Sequence, residues 1–369
     1  VFSGNTATGN TLNDFDGISE VSSDGVVNVD SLNIGQHGTK NGGDCDSVGT
    51  WVPTDAGPEG GTCTLSTDIQ ITGTGYGITL ASSRVTLDGA GHTITGNSIV
   101  SGYANQHVAV HICDRCHTIM IKDVIIDTFA WGITSWNTNG IIITDVTLQN
   151  IGKIGIDLNS VAGMLIENNI ISAPAISVAG SFQGMQLSGV NQHVGVGDGS
   201  CVGTGQYVSP GIAQNAPMVI KNNQITRGNL NIGSGTNWCL EGNTITKGTF
   251  NIGLSYDYST VPTNHMIKNN QATDGKAFVG FYILGSGNTL DSNISNNNND
   301  GFEFSGHSQN NLIINNVAND NTEYGFEFDA ESLGHTFIDN TVTGNGLSDI
   351  EEYAVDDPLS NVDLTFTYP

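Results

Sequence analysis

The sequence predicts an all-β solenoid, a fold in which short coils stack along one axis. Glycine followed by alternating apolar residues recurs at positions 280–283 (GFYI), 301–304 (GFEF) and 325–328 (GFEF). Asparagines recur in step with these phrases, at Asn270, Asn293, Asn316 and Asn340. A period in the twenties with Gly/Asn turns is the signature of units that cannot bury their apolar faces alone and must stack.

Composition agrees with this prediction. The 369 residues include 49 glycines, only 8 prolines and 37% hydrophobic residues, which suits a β-protein with many tight turns and a narrow core. Because a solenoid grows by adding coils, the length does not require several domains. We expect residues 1–64 to form an N-terminal cap with a disulfide loop, 65–346 to form the solenoid with a loop inserted at about 190–217, and 347–369 to form an acidic C-terminal tail with an edge strand.

The charge of the chain restricts its partners. Ten basic against 36 acidic residues give a formal net charge of −26, which repels nucleic acid, anionic lipid and most polyanionic glycans. Polysaccharide without strong charge, cations, or other copies of the same chain remain as partners, the last as an oligomer or filament. No run of about 18 apolar residues occurs, so we expect no transmembrane segment.

The six cysteines form an even set in an acidic, lysine-poor chain: Cys45, Cys63, Cys113, Cys116, Cys201 and Cys239. This favours disulfides and an oxidising compartment, and we expect an extracellular or cell-surface protein. Free thiols buried in a cytosolic protein are the alternative. Connectivity cannot be read from spacing, although Cys45 with Cys63 and Cys201 with Cys239 each bracket a loop-like segment.

Residues 85–96 (VTLDGAGHTITG) give the prediction its specific form. Together with the apolar phrases at 119–124, 141–146, 164–169 and 219–223, this phrase resembles the coils of the pectin-lyase-like superfamily. The resemblance covers roughly residues 63–345 and implies a right-handed parallel β-helix of about 10–12 coils. Residues one period apart would then stack about 4.8 Å apart. The superfamily includes lyases, hydrolases, epimerases, phage adhesins and structural surface proteins, so the fold does not identify a reaction.

Aligning the glycine-apolar phrases predicts one outward-facing column of polar side chains. Its members are Thr79, His111, Thr134, Asp157, Gln186, Asn231, Asn251, Tyr282, Glu303 and Glu327. In the enzymes that the chain resembles, polysaccharide lies along such a sheet. Catalytic and sugar-binding groups are therefore expected in this column.

The first catalytic candidate is the pair Glu303 and Glu327. On adjacent coils each carboxylate would raise the pKa of the other, and a separation near 5 Å is that of retaining glycosidases. Substrate-binding groups expected beside the pair are Tyr282, as a sugar-stacking ring, and His307, Asp329 and His335. Acidic columns that bind calcium or face water are the alternative, so Ca²⁺ is the candidate ion.

A second catalytic candidate is Asp157, with His111 and Gln186 binding substrate near the inserted loop. Lyases and epimerases of uronic acids need cations to neutralise a carboxylate, but none of the three arginines aligns with the outward column. The paired aspartates with Gly-His-Gly of polygalacturonases and the Arg-x-Pro-x-x-Arg of pectate lyases are missing, so those families are disfavoured.

Residues 113–117 (CDRCH) match the pattern for covalent attachment of a c-type haem, through Cys113, Cys116 and His117. His107 or His111 would be the nearest second axial ligand. The alternative is an ordinary coil turn in which the two cysteines pack inward or bridge each other.

Two functions from different classes remain open. One is a secreted β-helix protein that binds or cleaves a neutral or weakly charged polysaccharide, as a glycoside hydrolase or lyase if it is an enzyme. The other is a structural or adhesive extracellular filament protein without catalysis, which the acidity, the disulfides and an edge-like strand at 362–368 fit. A single-haem protein is a minor alternative.

Overall fold

The computed structural model describes residues 18–21, 25–35, 42–54, 60–99, 107–174, 182–189, 218–253, 263–306 and 308–352. These residues form the predicted right-handed parallel β-helix. Each regular coil contributes one short strand to each of three sheets, which run side by side along the axis. We call them the site sheet, the second sheet and the third sheet, in the order in which the chain visits them.

The site sheet contains, among the described residues, Leu32–Ile34, Tyr76–Leu80, Val108–Ile112, Trp131–Trp136, the first part of Ile154–Glu167, Gln183–Gly189, Asn229–Ile232, Phe250–Ile252, Phe281–Ile283, Phe302–Phe304, Tyr324–Phe328 and Ser348–Glu352. The second sheet contains Gly49–Pro53, Gly61–Leu65, Val85–Asp88, His117–Lys122, Asn139–Thr144, the second part of Ile154–Glu167, Met218–Lys221, Trp238–Glu241, Met266–Lys268, Thr289–Asp291, Leu312–Ile314 and Thr336–Ile338. The third sheet contains Ile18–Val21, Val27–Val29, Ile69–Ile71, Thr93–Ser98, Ile125–Phe129, Thr147–Gln149, Ile170–Ser172, Gln224–Thr226, Thr244–Thr246, Gln271–Thr273, Ile294–Asn296, Val317–Asn319 and Thr341–Thr343. A short 3-10 helix spans Cys45–Ser47.

Apolar side chains from all three sheets fill the narrow interior. In the short strands the flanking residues point inward and the middle one points outward, as in Phe302–Phe304, where both phenylalanines are fully buried. Phenylalanines one coil apart stack: ring centroids are 4.7 Å apart between Phe281 and Phe302, and 4.7 Å between Phe302 and Phe326. Parallel in-register pairing therefore lines up both the apolar and the polar columns.

The recurring asparagines form a ladder of buried amides. The Asn270 Nδ2 donates to Asn293 Oδ1 (3.0 Å), and the Asn293 Nδ2 donates to Asn316 Oδ1 (3.0 Å). The Asn316 Nδ2 continues the series to Asn340 Oδ1 (3.0 Å). Asn293 Oδ1 also accepts from the backbone N–H of Asn270 (2.9 Å). Each rung thus satisfies backbone and side-chain groups that the turn would otherwise leave buried without a partner.

The residue before each of these rungs has left-handed backbone. Asn269, Ser292 and Asn315 have φ of 54°, 57° and 56°. Asparagine tolerates this region better than most residues because its short polar side chain bonds locally. The Asn-Asn and Ser-Asn pairs of the sequence therefore encode a turn residue followed by a ladder residue.

Stacking begins before the repeat becomes regular in the sequence. Val27–Val29 pairs in parallel with Ile69–Ile71, and Leu32–Ile34 pairs in parallel with Tyr76–Leu80. Ile18–Val21 then pairs antiparallel with Val27–Val29 and covers the open edge of the third sheet. This first coil is hard to recognise because the segment that holds the short helix interrupts it.

Two disulfides lie within the described residues. Cys45 and Cys63, which bracket one of the loop-like segments, are bonded, with their Cα atoms 5.7 Å apart. Cys113 and Cys116 are bonded to each other across a four-residue turn. The expected partner of Cys239, Cys201, lies outside the described residues, whereas Cys239 itself is disulfide-bonded.

Several expectations concern parts of the chain outside the described residues: the inserted loop at 190–217, His307, and the edge strand at 362–368 in the C-terminal tail. The division of the chain at 64 and 346 stays a prediction. Nowhere in the described ranges is there a helix with the length and apolar character needed to cross a membrane.

Candidate functional site

The strand register of the site sheet places all ten aligned residues in one outward column. His111 pairs with Thr79 and Thr134, Asp157 pairs with Thr134 and Gln186, and the pairing continues without a break to Glu327. The column also gains a member at each end, Asn33 beside Thr79 and Glu351 beside Glu327. The alignment of phrases in the sequence therefore predicted the register correctly.

Carboxyl groups cluster at the C-terminal end of this column. Glu303 and Glu327 lie opposite each other on adjacent strands. Asp300 joins them, so that one carboxylate oxygen from each of the three residues lies within 4.8 Å of the others. We call these three residues the carboxyl cluster. Both glutamates are half-buried, whereas Asp300 is only 4% exposed.

Asp300 is held by its own turn. Its Oδ1 accepts a hydrogen bond from the Tyr324 backbone N–H (3.1 Å), and its Oδ2 accepts one from Asn299 Nδ2 (2.8 Å). Asp300 was not among the catalytic residues predicted from the sequence. The sequence feature that could have identified Asp300 is its place immediately before the Gly-Phe-Glu-Phe phrase, where the turn directs it toward the glutamate of the following strand.

Burial and crowding raise the proton affinity of both glutamates. Burial, followed by the charges of Asp329 and Asp300, raises the pKa of Glu303 to about 7. Burial, followed by the charge of Glu303 and then by other carboxylates including Asp300, Asp329 and Glu351, raises the pKa of Glu327 to about 7. Asp329 is thus close enough to raise the pKa of both glutamates, and its role in substrate binding stays a prediction.

No lysine, arginine or histidine in the described ranges forms an ion pair with Asp300, Glu303 or Glu327. Neutralisation of the cluster must then come from protons, from a bound cation or from outside these ranges. Tyr282 lies beside Glu303 in the column, as predicted.

His335 is not brought to the cluster. It is 1% exposed and lies in the interior, with its ring 5.2 Å from that of Phe304 and 5.4 Å from that of Phe328. Its Nδ1 accepts from the Asn311 backbone N–H (3.2 Å), and its Nε2 bonds Ser332 Oγ (2.8 Å). Burial lowers its pKa to about 4, so His335 is a neutral structural residue of the core.

Three carboxylates can supply oxygen ligands, the kind that Ca²⁺ prefers, although Ca²⁺ usually takes about 6–8 of them. A bound cation would favour the ionised form of each glutamate and oppose the raised pKa values. Calcium at this cluster stays a prediction.

Asp157, the second catalytic candidate, lies elsewhere on the column. It is 8% exposed, and burial raises its pKa to about 6. Gln186 lies on the adjacent strand, and His111 lies two strands away in the other direction. Five strand spacings separate Asp157 from Glu303, a distance of ~24 Å, so the two candidates cannot act on the same bond.

The haem pattern lies at the turn between Val108–Ile112 and His117–Lys122. Cys113 and Cys116 are bonded to each other, an arrangement in which neither sulfur is a free thiol for attachment. His117 lies at the start of the following strand, with Nδ1 3.3 Å from Thr118 Oγ1. Haem attachment stays a prediction, which a pyridine haemochrome spectrum would test.

Comparison with known proteins agrees with the fold. A family model described as a right handed beta helix region matches residues 210–356. No curated protein matches the chain in sequence. DFA-IIIase from Arthrobacter chlorophenolicus A6 without its lid is similar in structure, with a TM-score of 0.51 and 12% identity over 91% of this chain and 91% of that chain.

The same enzyme in complex with GF2 gives a TM-score of 0.51 and 12% identity over 74% of this chain and 70% of that chain. The catalytic unit of a GH87 alpha-1,3-glucanase from Streptomyces thermodiastaticus strain HF3-3 gives a TM-score of 0.49 and 12% identity over 91% of this chain and 66% of that chain. At this identity the DFA-IIIase likeness shows the fold alone. The chain has the right-handed parallel β-helix fold that its motifs predicted.

Proposed function

We propose that this parallel β-helix protein is a secreted glycoside hydrolase that acts on a neutral or weakly charged polysaccharide, with Glu303 and Glu327 as its carboxyl pair. One observation carries the proposal: two glutamates on adjacent strands of an exposed sheet have carboxylate oxygens within 4.8 Å of each other. Retaining glycosidases hold their two carboxyl groups about 5 Å apart.

The raised pKa values supply the protonation states that this chemistry needs. Because Glu303 and Glu327 interact, they titrate as a pair rather than one at a time. Near neutral pH the pair holds one proton, which leaves one carboxylic acid and one carboxylate. The negative charges of Asp300 and Asp329 favour retention of that proton.

Hydrolysis would then proceed in two displacements. The carboxylate attacks the anomeric carbon while the carboxylic acid gives its proton to the departing glycosidic oxygen, which forms a glycosyl-enzyme ester and breaks the glycosidic bond. The residue that lost its proton next takes one from water, whose oxygen attacks the anomeric carbon and releases the glutamate. The sugar leaves with its original anomeric configuration.

Substrate class and location follow from charge and cysteine chemistry. The net charge of −26 disfavours polyanionic glycans. The cluster also lacks a cationic partner among the described residues, so the uronic acid lyase and epimerase chemistries have no evident support here. Secretion is supported by the disulfides Cys45–Cys63 and Cys113–Cys116, which persist in oxidising compartments.

The test is a reducing-end assay over neutral glucans, fructans, mannans and xylans, with polygalacturonate as the anionic comparison. Glu303→Gln and Glu327→Gln should each lower turnover by about 10²–10⁴-fold, since each removes a proton-transfer or nucleophilic group. Glu241→Gln is the matched control, because it makes the same chemical change on the second sheet.

Full activity in both cluster variants would overturn the proposal. Absence of turnover on every glycan, together with filaments detected by light scattering, would instead support the structural or adhesive function.

A further inference from the structure

A groove lies at the N-terminal end of the site sheet, far from the carboxyl cluster. It is an open depression with a volume of about 700 Å³. Its lining includes Asp30, Ser31, Asn33, Thr72, Tyr76 and Thr79. Asn33 and Thr79 are the first two members of the outward column, so the groove opens onto the same surface as Glu303 and Glu327.

Tyr76 forms an aromatic wall of this groove. One face of its ring stacks on the imidazole of His111, with centroids 4.1 Å apart and an interplanar angle of 10°. The residue nevertheless remains 36% exposed. With one face covered by His111, the exposed part of the ring borders the groove.

Neighbouring groups hold that ring in place. His111 Nδ1 bonds Thr134 Oγ1 (3.1 Å), and the indole of Trp136 lies 5.5 Å from the imidazole on its other side. Burial lowers the pKa of His111 despite the opposing charge of Asp114, so the imidazole is neutral near pH 7. Tyr76 therefore rests on an uncharged, fixed support.

Polar groups opposite the ring complete the site. The Asp30 carboxylate accepts from Thr72 Oγ1 (2.7 Å), which orients it at the edge of the groove. The Asn33 amide and the Thr79 hydroxyl add donors and acceptors on the outward column. An aromatic face combined with a few placed polar groups is the usual composition of a small-ligand site.

We propose that this groove is a second glycan-binding site, which takes an uncharged sugar unit with its C–H face on Tyr76 and its hydroxyls on Asp30, Asn33 and Thr79. Among the described residues that line the groove, Asp30 is the only charged one, and its carboxylate would repel an anionic sugar. Eight strand spacings separate Thr79 from Glu303, about 40 Å along the sheet. The groove therefore holds a distant part of a long chain whose reacting bond lies at the carboxyl cluster.

This inference shares the glycan premise of the proposed function but depends on binding rather than turnover. The test measures binding by affinity electrophoresis through gels that contain a soluble neutral glucan or fructan. All variants are built on Glu303→Gln so that hydrolysis does not remove the probe. Adding Tyr76→Ala should weaken binding of at least one of these polymers by about tenfold or more, because truncating an aromatic anchor at the centre of a contact typically costs this much. Asp30→Asn should weaken it to a smaller extent.

Two variants serve as controls. Tyr76→Phe keeps the ring face and should retain binding, and Val52→Ala removes an exposed apolar side chain from the second sheet without touching the groove. Equal binding by the Tyr76→Ala and Val52→Ala proteins would overturn the inference, as would failure of every polymer to bind. If the Gln variants of the cluster prove fully active while Tyr76→Ala still weakens binding, the proposed function is wrong and the groove is still supported as a glycan-binding site.

Discussion

Glu303 lies directly opposite Glu327 on the neighbouring parallel strand, and carboxylate oxygens of the two residues approach within 4.8 Å of each other and of Asp300. Parallel stacking imposes this proximity, because residues one coil apart in register occupy the same outward position. The arrangement concentrates negative charge where burial already disfavours it. Its consequences for protonation, stability and ion binding can be measured separately.

The first prediction concerns the pH dependence of stability. The pKa of Glu303 and of Glu327 rises from 4.5 when unfolded to about 7 when folded. Proton binding therefore stabilises the fold fully below about pH 4.5, and this contribution is lost as the pH rises to about 7. We expect the free energy of unfolding in urea to fall between these limits.

Glu303→Gln removes one ionisable group and one cause of the raised pKa of Glu327. The decline in the free energy of unfolding should be smaller in this variant, and the variant should exceed the unsubstituted protein in stability above about pH 7. Identical pH profiles for the two proteins would show that the cluster does not hold these protons.

The second prediction concerns metal ions. If the pair works by proton transfer, removal of divalent cations with a chelator should leave turnover unchanged. Excess Ca²⁺ should inhibit, because a cation favours two carboxylates over the acid and carboxylate that hydrolysis needs. Loss of activity on chelation, restored by Ca²⁺, would contradict the proton-only mechanism and support a calcium site.

The third prediction concerns the amide ladder. Asn293→Ala removes the acceptor for the Asn270 backbone N–H and leaves the Ile267 carbonyl without the amide that donates to it (2.8 Å). Leaving buried groups unpaired should cost about 1–3 kcal/mol in the free energy of unfolding. Asn97→Ala, at an exposed asparagine that donates to the Thr72 carbonyl (2.9 Å), is the control and should cost much less. Equal losses would argue against special stability of the ladder.

The fourth prediction compares the two disulfides. Cys45–Cys63 closes a sequence separation of 18 residues, whereas Cys113–Cys116 closes one of 3. Since a longer closed loop restricts the unfolded chain more, replacing both members of the first pair by serine should destabilise the protein by about 2–4 kcal/mol, and replacing the second pair should cost less. Urea denaturation measures both. A larger cost at the shorter loop would indicate that native-state contacts, rather than chain entropy, dominate.

The sequence also left parts of the site unresolved. Asp300 and Glu351 escaped selection because the first belongs to a turn and the second to an irregular acidic segment, so neither matches the repeated phrase. His335 was expected beside the carboxylates because of its position after Phe328, but its side chain lies inside the coil among phenylalanines. His335 occupies the buried position that Asn311 holds one coil earlier, because its Nδ1 accepts from the Asn311 backbone N–H as Asn311 Oδ1 accepts from the Asn288 backbone N–H. This second buried series was not recognised in the sequence because a histidine stands where the two preceding coils have asparagine.

At the N-terminal end of the site sheet, the contacts of Tyr76 and Trp136 could not be predicted from the sequence either. Their positions in separate phrases give no sign that His111 lies between their rings. Aromatic contacts across coils depend on side-chain conformation as well as on register, so the groove at Tyr76 became evident only in three dimensions.

By itself the sequence determined the stacked-coil architecture, the register of the outward column and the asparagine ladder, because each depends on a repeat that local spacing makes visible. Only the tertiary structure decided which carboxylates meet, how deeply they are buried, and where a cavity opens. These properties arise from turns and side-chain directions that differ from coil to coil. Since a repeat describes what the coils share, the features that distinguish one coil from the next, including any active site, appear only when the coils are assembled.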